Sequence, residues 1–324
     1  MKIFRCLRAV AACTCLALVG PLVHAQDYPT KTIRIIVPLP PGGSNDVLAR
    51  LIAQKMSESF GQPVVVENKP GAAGNIATEY IAKSAADGYT LGIAPNQTVA
   101  VNPVLYPKLP YDVVKDLEGV SMLGRVPMVL VVSPKVTVKS VAELITLAKS
   151  TPDKLTYASA GSGSPQHMAA EVFKSMTGTR MTQVPYKGSA PALLDVLGGT
   201  VDVMFCPINS ALPHIRSGKL RALGTTGPTR LALLNGVPTI AETVPAFESD
   251  IWIGLITPAR TPVPVIAKLN AELRRILALP DVKEKLADQG IDAESSGAAD
   301  FTKLIASDQK RWAAVIKAAD IKPE

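Results

Sequence analysis

The run Ile33-Arg34-Ile35-Ile36-Val37-Pro38-Leu39-Pro40-Pro41-Gly42-Gly43-Ser44-Asn45-Asp46 constrains this chain more than any other part of it. Five residues rich in β-branched side chains are strand-like, the proline and glycine cluster breaks the strand, and an amphipathic stretch follows. A strand that turns on glycine into a helix leaves several backbone N–H groups without partners at the helix start. Together with the positive end of the helix dipole they make a seat for an anion. A second segment of the same design, Lys154-Leu155-Thr156-Tyr157-Ala158-Ser159-Ala160-Gly161-Ser162-Gly163-Ser164-Pro165, comes about 120 residues later. Two such seats facing each other would hold a small carboxylate from both sides.

The rest of the chain repeats the alternation of strand and helix. Strands are expected at 33–37, 64–67, 90–94 and 129–132, with helices at 46–60, 76–84 and 141–150 and a polar loop at Asn96-Gln97-Thr98. The second half reads as strands at 155–159, 181–184, 201–205, 221–225 and 252–257. Its helices fall at 166–176, 190–197, 209–217, 263–279, 282–289 and 298–319. Repeated alternation of this kind argues for mainly parallel sheets covered on both faces. In such sheets ligands sit beyond the carboxyl ends of the strands, where both glycine turns lie.

The first 25 residues read as an export leader. Lys2, Arg5 and Arg8 precede an uncharged apolar core over 9–23, and Val23-His24-Ala25 supplies a cleavage site after Ala25. The core is too short and too interrupted for a membrane anchor. Cys6, Cys13 and Cys15 leave with it, so Cys206 is alone and no internal disulfide can form. Of the formal net charge of +7, three positives lie in the leader, which leaves +4 for the mature chain. No Lys/Arg run reaches nucleic-acid density and aromatics are only 5% of residues, so a nucleic-acid surface is excluded. A mildly positive body favours anionic solutes. The 299 residues that remain support two domains of ordinary size.

Gly42 and Gly43 strip side-chain bulk from the first turn, and Ser44 and Asn45 add neutral donors. Asp46 either caps backbone amides or binds an amino or hydroxyl group of the solute. In the second turn Ser159, Ser162 and Ser164 offer hydroxyls beside the backbone donors of Gly161 and Gly163. A dinucleotide fingerprint fails because its third glycine position is Gln166, and a phosphate loop fails for want of Gly-Lys-Ser/Thr. His167 stands next to the second turn, either against the ligand or packed on the helix. Cys206 is either a nucleophile beside His214 or a buried inert thiol. Lys187 and Trp252 each have a cleft role or an ordinary surface or core role open to them. There is no Gly-x-Ser-x-Gly elbow, no metal-ligand spacing and no singled-out carboxylate pair. A chain poor in reactive groups and rich in donors points to binding without catalysis, cofactor or metal.

Several motifs in register resemble the solute-binding proteins of the tripartite tricarboxylate transporters, the Bug receptors. They are Tyr28-Pro29, Pro40-Pro41-Gly42-Gly43-Ser44-Asn45-Asp46, Val66-Glu67-Asn68-Lys69-Pro70-Gly71-Ala72-Ala73-Gly74-Asn75, and Asn102-Pro103 with Lys108-Leu109-Pro110-Tyr111-Asp112. Tyr157-Ala158-Ser159-Ala160-Gly161-Ser162-Gly163-Ser164, Val184-Pro185-Tyr186-Lys187-Gly188 and Leu197-Gly198-Gly199-Thr200-Val201-Asp202-Val203-Met204-Phe205 complete the set. The resemblance implies an α/β, two-lobed periplasmic binding protein of type II, with mixed, mainly parallel sheets and helices on both faces. It implies a leader at 1–25, one lobe from 26–124 plus 228–324, the other from 125–227, and hinges near 124–129, 223–227 and 246–253. The ligand would be a small organic acid, with Pro41, Gly42, Gly43, Ser44 and Asp46 facing Ser159, Gly161, Ser162, Gly163, Ser164 and His167. Asn96 and Thr98 would line the same cleft, as would Cys206, which replaces an aspartate of many relatives and disfavours an amino-bearing ligand. A monomer working in the periplasm and docking on a membrane permease follows from the resemblance. A sensory receptor serving a membrane kinase and a secreted α/β enzyme are the alternatives.

Overall fold

The structure, a computed structural model, describes residues 28–323, so the leader read over 1–25 lies outside the described residues. The chain opens with β1 (Ile33–Val37), α1 (Ser44–Phe60), β2 (Val64–Asn68), α2 (Asn75–Ala82) and β3 (Thr90–Pro95). A wide-turned helical segment, Gln97–Val101, then leads to α3 (Asn102–Leu105), α4 (Val113–Asp116) and β4 (Leu117–Val126). A second series follows: β5 (Met128–Val132), α5 (Val141–Ser150), β6 (Thr156–Ser159), α6 (Pro165–Thr177), β7 (Thr182–Pro185), α7 (Ser189–Leu197), β8 (Val203–Pro207), α8 (Ile208–Arg216) and β9 (Arg221–Thr225). The chain finishes with β10 (Ile251–Pro258), α9 (Val263–Ala278), α10 (Pro280–Asp288), β11 (Asp292–Ala293) and α11 (Ala298–Ala318).

These strands form two sheets, ordered β11-β4-β10-β3-β1-β2 and β7-β6-β8-β5-β9. Each sheet with its helices is one lobe of a two-lobed α/β fold. The sheets are mixed. Pairing is parallel for β1 with β2 and β3 and for β6 with β7 and β8, and antiparallel wherever β4, β10 or β5 takes part. Antiparallel pairing enters where the chain passes between sheets, since only Pro127 separates β4 from β5. The return comes late. Thr225 bridges Thr239, Leu234 lies in the apolar cluster of the smaller sheet, and Phe247 packs on Phe173 and Phe205. Residues 231–247 thus stay with the five-stranded unit, where the sequence reading returned to the first lobe at residue 228.

The β1–turn–α1 unit is anchored from below. Ile33, Ile35, Ile36 and Val37 are buried, and α1 turns Leu48, Ile52 and Met56 into the same core. Burial of side chains of this size contributes about 1.5–3 kcal/mol each. Gly61, left-handed at φ 65°, ends α1 by donating to Ser57 O at 3.1 Å. On the second lobe Ser140 caps α5 by accepting from Glu143 N, while the Glu143 carboxylate reaches Lys139 N instead of the cap residue.

Two strand features escape a pattern reading. β4 carries Gly119 and Gly124, which blunt its strand signal. A side chain at Gly119 would come within 3.0 Å of Phe301 and Thr302, and one at Gly124 within 2.8 Å of Asp292 O. Glycine there admits close neighbours. Asn96-Gln97-Thr98, read as a loop, instead opens the wide helical turn that carries Val99–Val101 into the core. No helix among the described residues is long and apolar enough to cross a membrane.

Candidate ligand-binding cleft

The first turn is clamped by its own helix. The Asp46 carboxylate accepts from Gly42 N at 3.0 Å, Arg50 Nε at 2.9 Å and Asn68 Nδ2 at 3.0 Å, and Asn68 also holds Leu39 O at 3.1 Å. Burial works to raise the Asp46 pKa, but the hydrogen bonds from Arg50, Gly42 and Asn68 outweigh it and hold the carboxyl below its ordinary value. Of the two roles open to Asp46, this geometry supplies the internal one. Gly42 needs its positive φ of 87° for the turn, whereas Gly43 sits at φ −83°, ψ 172° as the N-cap and offers no side-chain cap. The N–H groups of Gly43, Ser44 and Asn45 have no partner among the described residues, and they stand at the start of a 17-residue helix.

The second turn uses more of its donors internally. Gly161 N reaches Ser159 Oγ at 3.3 Å, Gly163 N reaches His167 Nδ1 at 3.2 Å, and Ser164 Oγ caps α6 by accepting from His167 N at 3.4 Å. Ser159 Oγ also accepts from Gln183 Nε2 at 2.8 Å. His167 is buried, with Nε2 3.8 Å from Glu171 Oε1. That oxygen accepts in turn from Tyr157 OH at 2.6 Å and Lys174 Nζ at 2.7 Å. Gln166, at the third position that the dinucleotide fingerprint lacks, is buried and donates to Ser189 Oγ at 2.6 Å.

Both turns face across the gap between the lobes. Ser44 Oγ accepts from Asn209 Nδ2 at 3.0 Å, and Asn209 belongs to α8 of the other lobe. Ser162 Oγ donates to Lys322 O at 2.9 Å, and the Gly163 backbone lies against Leu105 and Val101 of the first lobe. Between the lobes lies a small cavity of about 10 Å³, which no residue of the first turn lines. The first lobe lines it with Asn96, Gln97, Val101 and Trp312, the second with Met128, Gly163, Pro165 and Met168, and the crossing segment with Ser249 and Asp250.

Asn96 is among the lining residues; its Nδ2 donates to Asp250 O at 3.2 Å and its Oδ1 has no partner. Thr98 lies beside the first turn, under Gly74 and Pro38, with its hydroxyl on Pro95 O at 3.1 Å. Cys206 is fully buried among Val129, Ala192, Ile208 and Ala211, and burial pushes its thiol up to about 12. Trp252 is a core residue, edge-on to Phe301 at 5.5 Å, and Lys187 is exposed.

Trp312, Met168, Met128 and Asp250 carried no local signal, because helical periodicity explains the first two as core positions and chain crossing alone brings in the others. Asp308 orients Trp312 by accepting its indole N–H at 3.2 Å, and that of Trp252 at 2.7 Å. Asp250 bonds Thr226 Oγ1 at 2.7 Å, and Thr226 Oγ1 accepts from Met128 N at 2.9 Å, which ties the two chain crossings together. Burial lifts the Asp250 carboxyl to about 6, with the Thr226 hydroxyl and the Arg125 charge pulling the other way.

The tripartite tricarboxylate transporter family receptor profile matches residues 48–321. Protein BugT of Bordetella pertussis is 40% identical over 319 residues, covering 98% of each chain. Among solved structures, the R. palustris protein Rpa4515 with adipate superposes with a TM-score of 0.84 at 37% identity, covering 92% of this chain and 100% of that one. MatC of Rhodopseudomonas palustris with bound malate gives 0.79 at 33% identity, covering 89% and 100%.

Proposed function

The chain belongs to the tripartite tricarboxylate transporter receptor family, and on that premise we propose that it captures a small organic carboxylate between its lobes and delivers it to a membrane permease of the tripartite kind. The observation that carries the reading is the set of three unpartnered N–H groups, on Gly43, Ser44 and Asn45, at the head of α1 and beside the opposite lobe. Hydrogen bonds to a charged acceptor return about 1.5–3 kcal/mol each, and the helix terminus adds about 0.3–2 kcal/mol. Removing a carboxylate from water costs several kcal/mol, so this set is of the right size to offset it. The malate and adipate held by the two relatives are acids of the class proposed.

The working cycle follows from geometry. An acid that touches both lobes binds the closed form better than the open one and shifts the population toward it by that difference in affinity. We place the hinge at Pro127 and at 248–251, where the chain changes sheets, and the Asp250–Thr226–Met128 chain across it. The receptor works in the periplasm, as a monomer, without chemistry on its cargo.

Mass spectrometry of the acid that co-purifies, followed by thermal melts with a panel of organic acids, tests the first half. A bound acid at 100 times its Kd raises stability by about 2.7 kcal/mol. No acid recovered and no shift in melting would refute the reading. Capture from detergent-solubilised membranes tests the second half: a permease supports delivery, whereas a sensor kinase would make the protein a signalling receptor.

A further inference from the structure

The first turn meets a side chain of the second lobe, whose role rests on the carboxylate-receptor reading above. α8 begins against the first lobe: Ile208 N donates to Pro127 O at 3.2 Å, and the Ile208 side chain lies against Gly290. Asn209 comes next, and its amide is oriented by its own helix. Asn209 Oδ1 accepts from Ser210 N at 3.0 Å. A backbone N–H only donates, so Nδ2 is the amino end. That end donates to Ser44 Oγ at 3.0 Å.

A hydroxyl has a single proton and two acceptor lone pairs. With Asn209 on its acceptor side, the Ser44 O–H is left to donate, and it has no acceptor among the described residues. Ser44 is the middle residue of the open row, so its hydroxyl adds a donor beside the amides of Gly43, Ser44 and Asn45. Asn45 is 7% exposed and its Oδ1 is buried without a partner. An unpaired buried polar group is costly, and neither end of the Asn45 amide is held among the described residues, so it is free to turn toward a solute. The Ser44–Asn209 bond also brings the head of α8 to the head of α1. Two positive helix ends repel, and an anion between them relieves both.

We propose that Asn209 is the second lobe's positioning residue for the bound acid: it holds the Ser44 hydroxyl so that the O–H donates to the carboxylate seated on the N–H groups of Gly43, Ser44 and Asn45. Titration calorimetry on the mature receptor tests this, with malate, adipate and benzoate as probes together with the acid recovered by mass spectrometry. Asn209→Ala weakens binding about tenfold, and by less than about twofold once Ser44→Ala is present. Asn209→Asp keeps the size of the side chain but takes the Ser44 proton for itself and sets a like charge beside the ligand. It weakens binding by at least about a hundredfold. A residue needed only for packing gives the reverse order, with alanine the worse of the two. Asn209→Asp binding as well as Asn209→Ala, or an alanine effect that is the same with and without Ser44, overturns the role of Asn209 and leaves the receptor reading standing. If Asn209→Asp does not fold, the alanine pair decides alone. If no probe binds and no acid is recovered, the receptor reading falls with it.

Discussion

Closure of the lobes has a steric checkpoint at Gly163. An alanine Cβ there would stand 2.4 Å from Leu105 Cδ2, across the gap between the lobes, and the backbone sits at φ 70°. Carbon atoms normally approach to about 3.5–4.0 Å. Gly163→Ala therefore carries two separable costs. Left-handed backbone costs about 1–2 kcal/mol whether the lobes are open or closed. The collision with Leu105 exists only in the closed form, and overpacking of this kind costs about 1–3 kcal/mol, which weakens ligand binding by about 5–150-fold. Adding Leu105→Ala removes the collision and leaves the backbone cost in place. Calorimetric titration with the co-purified acid, run on Gly163→Ala with and without Leu105→Ala, reads the collision as affinity. Melting of the ligand-free proteins reads the backbone cost as stability. The expected result is that Gly163→Ala weakens binding strongly beside Leu105 and only slightly once Leu105→Ala is present, while its effect on melting is the same in both settings. An equal loss of affinity in both would refute the steric argument.

Gly43→Val is expected to keep the fold, because its φ of −83° suits any residue and nothing lies within 4 Å of the added Cβ. It should cost about 1 kcal/mol as a poorer N-cap and lower acid affinity at least tenfold; unaltered affinity would remove the first turn from the site. The Asp250 carboxyl, raised to about 6, is held protonated more firmly in the native than in the unfolded chain. Its contribution to stability is full below the ordinary value near 4 and is lost as pH rises through about 6, up to about 3 kcal/mol. Asp250→Asn should accordingly melt higher than wild type at pH 7.5, with the advantage gone by pH 4, and a pH-independent difference would count against that. Cys206, with its thiol pushed up to about 12, should be nearly unreactive toward a thiol reagent at pH 8 until denaturant is added; rapid labelling of the native protein would contradict its burial.

The parts of the fold legible in sequence were those written in local periodicity. β1 coincides with the strand expected at 33–37 and α1 starts two residues before the helix expected at 46–60, since apolar spacing and glycine stops are local signals. β4 was lost because its glycines serve contacts made by Phe301, Thr302 and Asp292, all more than 165 residues away in sequence. Residues 231–247 were misplaced for a related reason: leaving β9 says nothing about which sheet the following loop rests on, and that is settled by Leu234 and Phe247 finding the second lobe's core. Both glycine turns were legible as turns. The hydrogen bonds that consume their donors were legible only in part: Asp46 on backbone amides was one of two open roles, whereas Asn68 and His167 acquire their partners only once the loops fold back.

The two turns differ in how their helix starts are satisfied. α6 begins with Ser164, whose hydroxyl accepts from His167 N, and Gly163 N is answered by the His167 ring. That helix start is largely self-sufficient. α1 begins with Gly43, which has no side chain to offer, so the N–H groups that a serine would help satisfy stay unpartnered. Glycine in place of a serine cap costs only about a few tenths of a kcal/mol, so the open amides are a small burden on the fold. The Asp46 side chain is drawn back to Gly42 N, Arg50 and Asn68, and so is kept off the donors of Gly43, Ser44 and Asn45. The first turn is rigid through Asp46 and open at the next three amides, while the second turn is satisfied and contributes shape through Gly163 and Pro165. On the function proposed, an anion arriving from solvent would find these donors on the first lobe and would touch the second only when the lobes meet.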